Sequence, residues 1–357
     1  MQKKVTIYDV AERLGISTAT VNRAMNEKGS ISDKTKRLVQ ETAREMGYHP
    51  SKSASSLKRN PRRIAVLLPN TIHGYQAEVE RGVHKAAEEL AEYSVECEVF
   101  EENDEDMEVF IRRLQEISDM NFDGIIILPP FDEAQMSRAV QDLREQKKQY
   151  YVTVTSDLQD SGRILSVQSN GIVAGRMAAE LLGWKIPQGS KAAIVIGQGT
   201  TQAHRNVIEG FQSELHNFHL MFAGVYEHHD DPEQSYRLAD ELLHQHPDIA
   251  GVYLGTANSV AFCKRLKELG MDRRIAVIAS DIFPEIAQLM EEGTIDATIF
   301  QNPFQQGRIA FRYLYEYMVE GRRFDTDTIY LDPSIILRSN LCLFQNNLEQ
   351  MKDGIVQ

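Results

Sequence analysis

The sequence predicts a small all-α helix-turn-helix head followed by a two-lobed α/β core with parallel sheets. Three observations predict it. The first is charge. The 357 residues carry 39 Lys+Arg against 52 Asp+Glu, a net −13, yet residues 1–60 hold 12 of the cations and 6 of the acids, leaving 27 and 46 for residues 61–357. A head at +6 on a body at −19 suits a division in which only the head approaches phosphate. The second is a pair of short helical patterns joined at Gly15-Ile16-Ser17. The third is an alternation, from Arg63 onward, of short apolar runs with amphipathic helical stretches, the pattern of parallel sheets covered by helices on both faces.

Each element of the head follows from local chemistry. Thr6-Ile7-Tyr8-Asp9 reads as a helix start, with Thr6 as N-cap and an acid three residues on, and Val10, Ala11 and Leu14 fall at helical spacing. Gly15 stops that helix, and Ser17 caps a second one, Thr18–Met25, with Val21, Ala24 and Met25 inward. A third starts at Ser32-Asp33 and runs towards Met46 with Leu38, Val39, Thr42 and Met46 inward; Gly47 and Pro50 end it. The outer face of the second helix presents Thr18, Ala19, Asn22 and Arg23, in a segment with no acid between Arg13 and Glu27. Arg binds guanine O6/N7 in bidentate fashion and Ala or Thr meets a thymine methyl, so these four are the candidate base contacts. Thr6, Ser17, Asn26, Ser32, Thr35 and Arg37 are the candidate phosphate contacts, aided by helix N-termini. The residues alone also allow a three-helix protein-interaction domain with a solvated polar face.

Ser51–Asn60 is polar and basic, with Leu57 its one large apolar residue, and reads as an interdomain linker. A helix this short does not repay its nucleation cost in water.

In the body, Ile64–Pro69, Val95–Phe100, Gly124–Pro129, Tyr151–Thr155, Ala192–Gly197, Gly251–Gly255, Ile275–Ser280 and Ala297–Phe300 read as buried strands. Ligands of such sheets sit at the strand C-terminal ends. Polar residues follow those ends: Asn70 to Gln76, Thr155-Ser156-Asp157, Thr200 to Arg205, Thr256 to Asn258, Asp281 and Gln301-Asn302. Gathered in a cleft they suit a polyhydroxylated ligand, since Asp281 accepts from two hydroxyls and Arg205 forks across two oxygens.

Other functions are excluded by what the sequence lacks. Its longest apolar stretches are far shorter than the roughly 18–20 residues of a membrane span, and no export signal precedes Asp9, Glu12 and Arg13, so a cytoplasmic protein without membrane contact is expected. Cys97, Cys263 and Cys342 lie far apart and read as buried thiols, neither disulfides nor a zinc site. Gly197-Gln198-Gly199 lacks the third glycine of a dinucleotide fingerprint, since residue 202 is Gln. His228-His229-Asp230-Asp231 and His244-x-His246 read as exposed loop residues and not as a metal site. No hydrolase motif is present. No catalytic residue, cofactor or metal is expected, and no enzyme.

The head also carries a resemblance. Val5-Thr6-Ile7-Tyr8-Asp9-Val10-Ala11, Gly15-Ile16-Ser17-Thr18-Ala19-Thr20-Val21, Arg23-Ala24-Met25-Asn26 and Tyr48-His49-Pro50 closely resemble the lactose/galactose-repressor family of bacterial transcription factors, without a gap over the head and linker. Asn22 stands where that family usually has Ser. The resemblance implies that Lys52–Leu57 is a hinge helix ordering on operator DNA, with Ala54 and Leu57 in the minor groove and Leu57 wedged into a base step. It further implies a regulatory core of the ribose-type periplasmic sugar-binding fold. There Tyr75 and Gln76 flank the sugar, Arg205 and Asp281 bind it, and Gln301 lies near the hinge. Thr256 and Asn258 flank a further polar position, while His73 replaces a usual Asn and Thr155 a usual Asp; Ser156 is a candidate from its strand end alone.

The expected organisation is therefore a DNA-binding head over residues 1–50, a hinge over 51–61, a core over 62–345 and a tail over 346–357. Within the core one lobe comprises residues 62–167 and 302–330, the other 168–301 and 331–345. The expected function is a ligand-responsive transcriptional regulator, most often a repressor in this family, binding palindromic double-stranded operator DNA and a sugar-like effector. A sugar-sensing module that acts mainly through a protein partner is the alternative. A homodimer follows from the half-site logic of a single head, with the helix Gln76–Glu92 in its interface by resemblance. Leu348, Met351 and Ile355 make one heptad at most, too little for a coiled coil.

Overall fold

The computed structural model describes residues 5–25, 31–46, 61–70, 73–103, 106–130 and 133–344, with His73 and Glu133 by backbone alone. Asn26, the 47–60 stretch with Ala54 and Leu57, and the 346–357 tail lie outside the described residues. A helical head ends by Pro61, and a core begins at Arg62.

The head consists of α1 (Ile7–Leu14), α2 (Thr18–Met25) and α3 (Asp33–Glu45). Thr6 and Asp9 form a reciprocal capping box that satisfies two orphan N–H groups of α1. Gly15 closes the helix at φ 63°, a left-handed conformation that a side chain strains. The turn it makes lets Val10 and Ala11 of α1 meet Val21 and Ala24 of α2 and Val39 and Ala43 of α3 in a buried cluster. Leu38 corrects the sequence reading. It is 52% exposed, because the inward line of α3 runs through Val39 and Ala43, four residues apart and one position out of phase with Leu38.

The core contains two six-stranded sheets. The first lobe is built in order from β1 (Arg62–Pro69), α4 (His73–Glu89), β2 (Val95–Glu102), α5 (Met107–Asp119), β3 (Gly124–Ile127), α6 (Glu133–Lys147), β4 (Tyr150–Val154) and β5 (Leu165–Ser169). The second continues with α7 (Gly171–Lys185), β6 (Lys191–Ile196), α8 (Gln202–Leu215), β7 (Met221–Glu227), α9 (Pro232–Gln245), β8 (Ile249–Leu254), α10 (Val260–Glu268), β9 (Ala276–Ser280), α11 (Pro284–Glu292) and β10 (Ala297–Phe300). The chain then returns through α12 (Pro303–Tyr315) and β11 (Thr328–Leu331) to the first lobe and ends with β12 (Ser334–Leu337) in the second. Strand orders are β11-β5-β4-β3-β1-β2 and β12-β10-β9-β8-β6-β7. All pairings are parallel except β12 on β10. Three segments therefore cross between the sheets: Asn170, Gln301-Asn302 and Asp332-Pro333.

Ile64 to Leu68 are wholly buried, as a strand covered on both faces requires. Each lobe closes its own apolar core, one around Phe110, Ile125 and Tyr151, the other around Ile194, Phe211 and Tyr253. In each lobe one helix pair packs backbone to backbone through two glycines. A Cβ on Gly82 of α4 would collide with the Phe304 carbonyl of α12, and one on Gly307 with the Val79 carbonyl. In the second lobe Gly175 of α7 meets the Val207 carbonyl of α8, and Gly210 meets that of Ile172. These close approaches hold the first turns of α4 and α8 where the strand ends converge.

Two further expectations are corrected. Of the cysteines only Cys263 is buried; Cys97 is half-buried on edge strand β2, and Cys342 is exposed beyond β12. His228 is not an exposed loop residue but wholly buried at the end of β7.

Candidate functional site

Within the core, strand ends and helix starts from both lobes line one cleft, with a cavity of ≈ 90 Å³ accessible to the centres of water molecules. The first lobe contributes Pro69, Leu128, Pro129 and Pro130 as an apolar wall, with Tyr75, Thr155 and Ser156 as polar groups. The second contributes Gln198, Thr201, His204, Asp230, Thr256, Asp281 and Gln301, with Ala203 and Val207 from α8. An apolar lining with a few placed polar groups is what a small-molecule site needs.

The polar groups are fixed by networks. Thr155, at the end of β4, lies 3.2 Å from the Tyr75 hydroxyl and 3.1 Å from Gln306 Oε1. Gln306, wholly buried on α12, donates to the Tyr75 hydroxyl at 3.0 Å and to the Gln301 carbonyl at 2.9 Å. Burial first, and the nearby Asp281 charge second, push the Tyr75 phenol up from its ordinary 10, so it stays an O–H donor. Asp281 follows β9 and is wholly buried. It accepts from the Gln301 backbone N–H at 2.9 Å and from Gln301 Nε2 at 2.8 Å. Burial raises its pKa to about 7, with the two Gln301 bonds acting against that rise.

Part of the backbone strain of the core lies here. Thr155 has φ 70°, Asp281 φ 61° and Asn302 φ 58°. A β-branched residue in the left-handed region is uncommon, and such residues collect at ligand sites where the surroundings over-determine them. Asn302 offsets part of its strain by capping α12, its side chain accepting from Gln305 N–H at 3.3 Å.

Of the sequence-derived ligand residues, Tyr75, Thr155, Ser156, Thr256, Asp281 and Gln301 line the cleft. His73 begins α4, described by its backbone alone. Gln76 is buried within α4 and does not line the cavity. Asn258 stands behind the wall, donating to Asp230 Oδ1 at 3.2 Å. Arg205 is exposed and off the cleft, its guanidinium donating to the Thr200 carbonyl and to Gln202 Oε1. The helix phase explains it. Thr201 caps α8, so Ala203, His204 and Val207 share the cleft-facing side, while Arg205 points about 100° round from His204. The sequence reading did not single out His204 within Thr200 to Arg205, passed over Gln306, and placed Asp230 in an exposed loop, whereas Asp230 lines the cavity. The Thr201 cap and Pro303 at the first position of α12 are the signals that phase the first two.

On the head, Ala19, Asn22 and Arg23 are exposed on α2 and Thr18 is half-buried beside them. Arg23 Nε donates to the Ala19 carbonyl at 3.3 Å along the helix. The Ser17 and Ser32 hydroxyls accept from Thr20 and Thr35 N–H groups, each at 3.2 Å. The Thr6 hydroxyl is held by Asp9 at 2.6 Å, and Arg37 is exposed.

Comparison with known proteins decides the family. Residues 6–51 match the bacterial regulatory proteins of the lacI family, and residues 64–322 match the periplasmic binding protein domain. The chain belongs to the lacI family, on a periplasmic-binding-protein core. The HTH-type transcriptional regulator DegA of Bacillus subtilis is 27% identical to this lacI-family chain over 216 residues, 59% of this chain and 61% of DegA. The match thus spans about three fifths of the length of DegA. The ribose operon repressor of Halalkalibacterium halodurans is 26% identical over 341 residues, covering 93% of this chain and 96% of that repressor. Among solved structures, the glucose-galactose binding protein GanP of Geobacillus stearothermophilus superposes with a TM-score of 0.71 at 22% identity, over 79% of this chain and 99% of GanP. That likeness shows the fold of the core. No helix among the described residues is long and apolar enough to cross a membrane.

Proposed function

We propose that this lacI-family chain is a ligand-responsive, sequence-specific transcriptional regulator, a repressor, that binds palindromic operator DNA as a homodimer in the cytoplasm and performs no catalysis. The observation that carries it is the joining, in one chain, of a lacI-family head with exposed Ala19, Asn22 and Arg23 to a core whose cleft carries Tyr75, Thr155, Asp281 and Gln301. A sugar-like effector enters the cleft, donates hydroxyls to Asp281 and accepts from Tyr75. Because three short segments cross between the sheets, closure on the effector changes the angle between lobes at Asn170, Asn302 and Asp332-Pro333. The hinge over residues 51–61 then gains or loses its minor-groove contacts. Coupling is reciprocal: an effector that weakens operator binding is itself bound less tightly in the presence of operator, typically by about 1–3 kcal/mol.

An operator selected from random duplex DNA tests the head. Specific binding is expected to exceed non-specific binding by at least ~1,000-fold. Arg23→Ala is expected to cost about 1–3 kcal/mol and to relax base preference at one position of each half-site. If Arg23→Ala bound every site as tightly as before, the assignment of α2 as the recognition helix would be wrong.

A further inference from the structure

The effector cleft has an unbalanced charge inventory. Two carboxylates line it, Asp230 and Asp281, and no Lys or Arg does so among the described residues. His228 lies behind the wall, wholly buried, with neither ring nitrogen hydrogen-bonded. Burial holds it below the ordinary imidazole range, against the opposing pull of Asp230.

Asp230 is placed as a side chain for a ligand. It sits at φ 59°, just beyond β7, and its neighbour Asp231 takes the capping role on α9, accepting from Glu233 N–H at 2.7 Å. Asp230 is thus not needed for the cap. Its Oδ1 is oriented by Asn258 Nδ2 at 3.2 Å. The carboxylate rests on the bare backbone of Gly197 at the end of β6, where any Cβ would collide with it. Asn258 and Gly197 therefore aim an acceptor at the cavity from the lobe opposite Tyr75.

We propose that Asp230 contacts the effector and, together with Asp281, makes the cleft select an uncharged, hydroxyl-rich compound over its phosphorylated or carboxylated forms. This rests on the reading of the cleft as an effector site. Hydroxyls satisfy a carboxylate by donating to it, and each such bond is charge-assisted. A phosphate or carboxylate on the ligand adds negative charge beside Asp230 in a desolvated space that, among the described residues, no Lys or Arg lines and where His204 is the one imidazole. Like charges so juxtaposed cost several kcal/mol. Asp281 still offers a donor when protonated; Asp230 is the group that enforces the discrimination.

The test is isothermal calorimetry on the full-length protein with matched sets: D-glucose, D-galactose, D-ribose and D-xylose, their terminal phosphates, and the uronic acids of the two hexoses. One or more neutral sugars is expected to bind, with its charged counterparts on the order of 100-fold weaker. Asp230→Asn preserves the Asn258 bond and is expected to shrink that ratio roughly tenfold, by weakening the neutral sugar and admitting the charged one. Gly197→Ala, which displaces the Asp230 carboxylate, is expected to weaken the neutral sugar with Asp230 intact. Melting of the unliganded variants checks that they fold. A phosphate or uronate bound as tightly as its neutral parent, or a ratio unchanged in Asp230→Asn, overturns the inference and leaves the effector site standing. If no member of any set binds, the sugar-effector reading falls, and the inference falls with it.

Discussion

Asp281 and His228 give the core two pH responses of opposite sign. The Asp281 carboxyl is raised from 3.8 to about 7, chiefly by burial, so the folded chain keeps a proton that the unfolded chain releases. Its contribution to stability is whole below pH 3.8, declines as pH rises to about 7, and is constant above that, on the order of 4 kcal/mol in all. His228 is lowered from 6.5 by burial, so the unfolded chain takes a proton first and stability falls as pH drops below 6.5. Neither ring nitrogen of His228 has a hydrogen bond to lose. His228→Phe is therefore expected to raise the melting temperature at pH 5 and to change it little at pH 8. Asp281→Asn is expected to flatten the decline between pH 4 and 7, whatever its fixed cost from the altered Gln301 bonds; a slope equal to the wild type's would remove Asp281 as its source. Effector hydroxyls that donate to ionised Asp281 add a linked effect. Binding should release a proton near pH 6.5, visible in calorimetry as a dependence on buffer ionisation heat, and affinity should rise with pH up to about 7.

At the level of elements, the two glycine-paired helix contacts decide how firmly the cleft is held. Gly82→Ala and Gly210→Ala each push a methyl into a helix backbone with no flexible side chain to yield. Each is expected to cost about 1–3 kcal/mol or more, read as a loss of denaturation midpoint. Gly189→Ala, at φ 82° with open space around it, meets only backbone strain and is expected to cost less than either. These pairs were not legible in the sequence, because a glycine in a helical pattern does not say what approaches it. Seven of the eight strands that were legible are apolar runs buried on both faces, and the eighth, edge strand β2, was legible from the alternation Val95, Cys97, Val99. The four that were not lack both signals. β5 buries Ser166, Gln168 and Ser169 together. β7 is an edge strand exposing Met221, Phe222 and Val225, and β11 and β12 are four-residue edges. In the cleft, residues that close a strand, such as Thr155, Asp281 and Gln301, were readable because strand ends are where ligands sit. His204 and Asp230 depend on helix phase and on a loop's left-handed turn, and Arg205 was assigned to the cleft for want of that phase. In the head the same limit acted on Leu38, one residue from the buried line of α3.

For the molecule as a whole, charge is the property that assigns work to parts. Residues 1–60 carry +6 and residues 61–357 carry −19, so the body repels the polyanion that the head is proposed to approach. A chain beginning at Arg62, with its own two cores and cleft, is expected to bind effector with the affinity of the full chain and to show no operator binding at any salt concentration. Within the full chain, the head's phosphate contacts should appear as a linear fall of log affinity with log salt, with about 0.9 in slope for each phosphate neutralised. Arg37 is exposed on α3 and makes no base contact in this assignment, so Arg37→Ala should lower that slope by about 1 per head while leaving the preferred operator unchanged. Arg23→Ala should do the reverse, altering base preference more than slope. Salt titration of both variants against the selected operator and one scrambled duplex separates the two roles. If Arg37→Ala changed which duplex is preferred, the division between positioning and base-reading residues on this head would have to be redrawn.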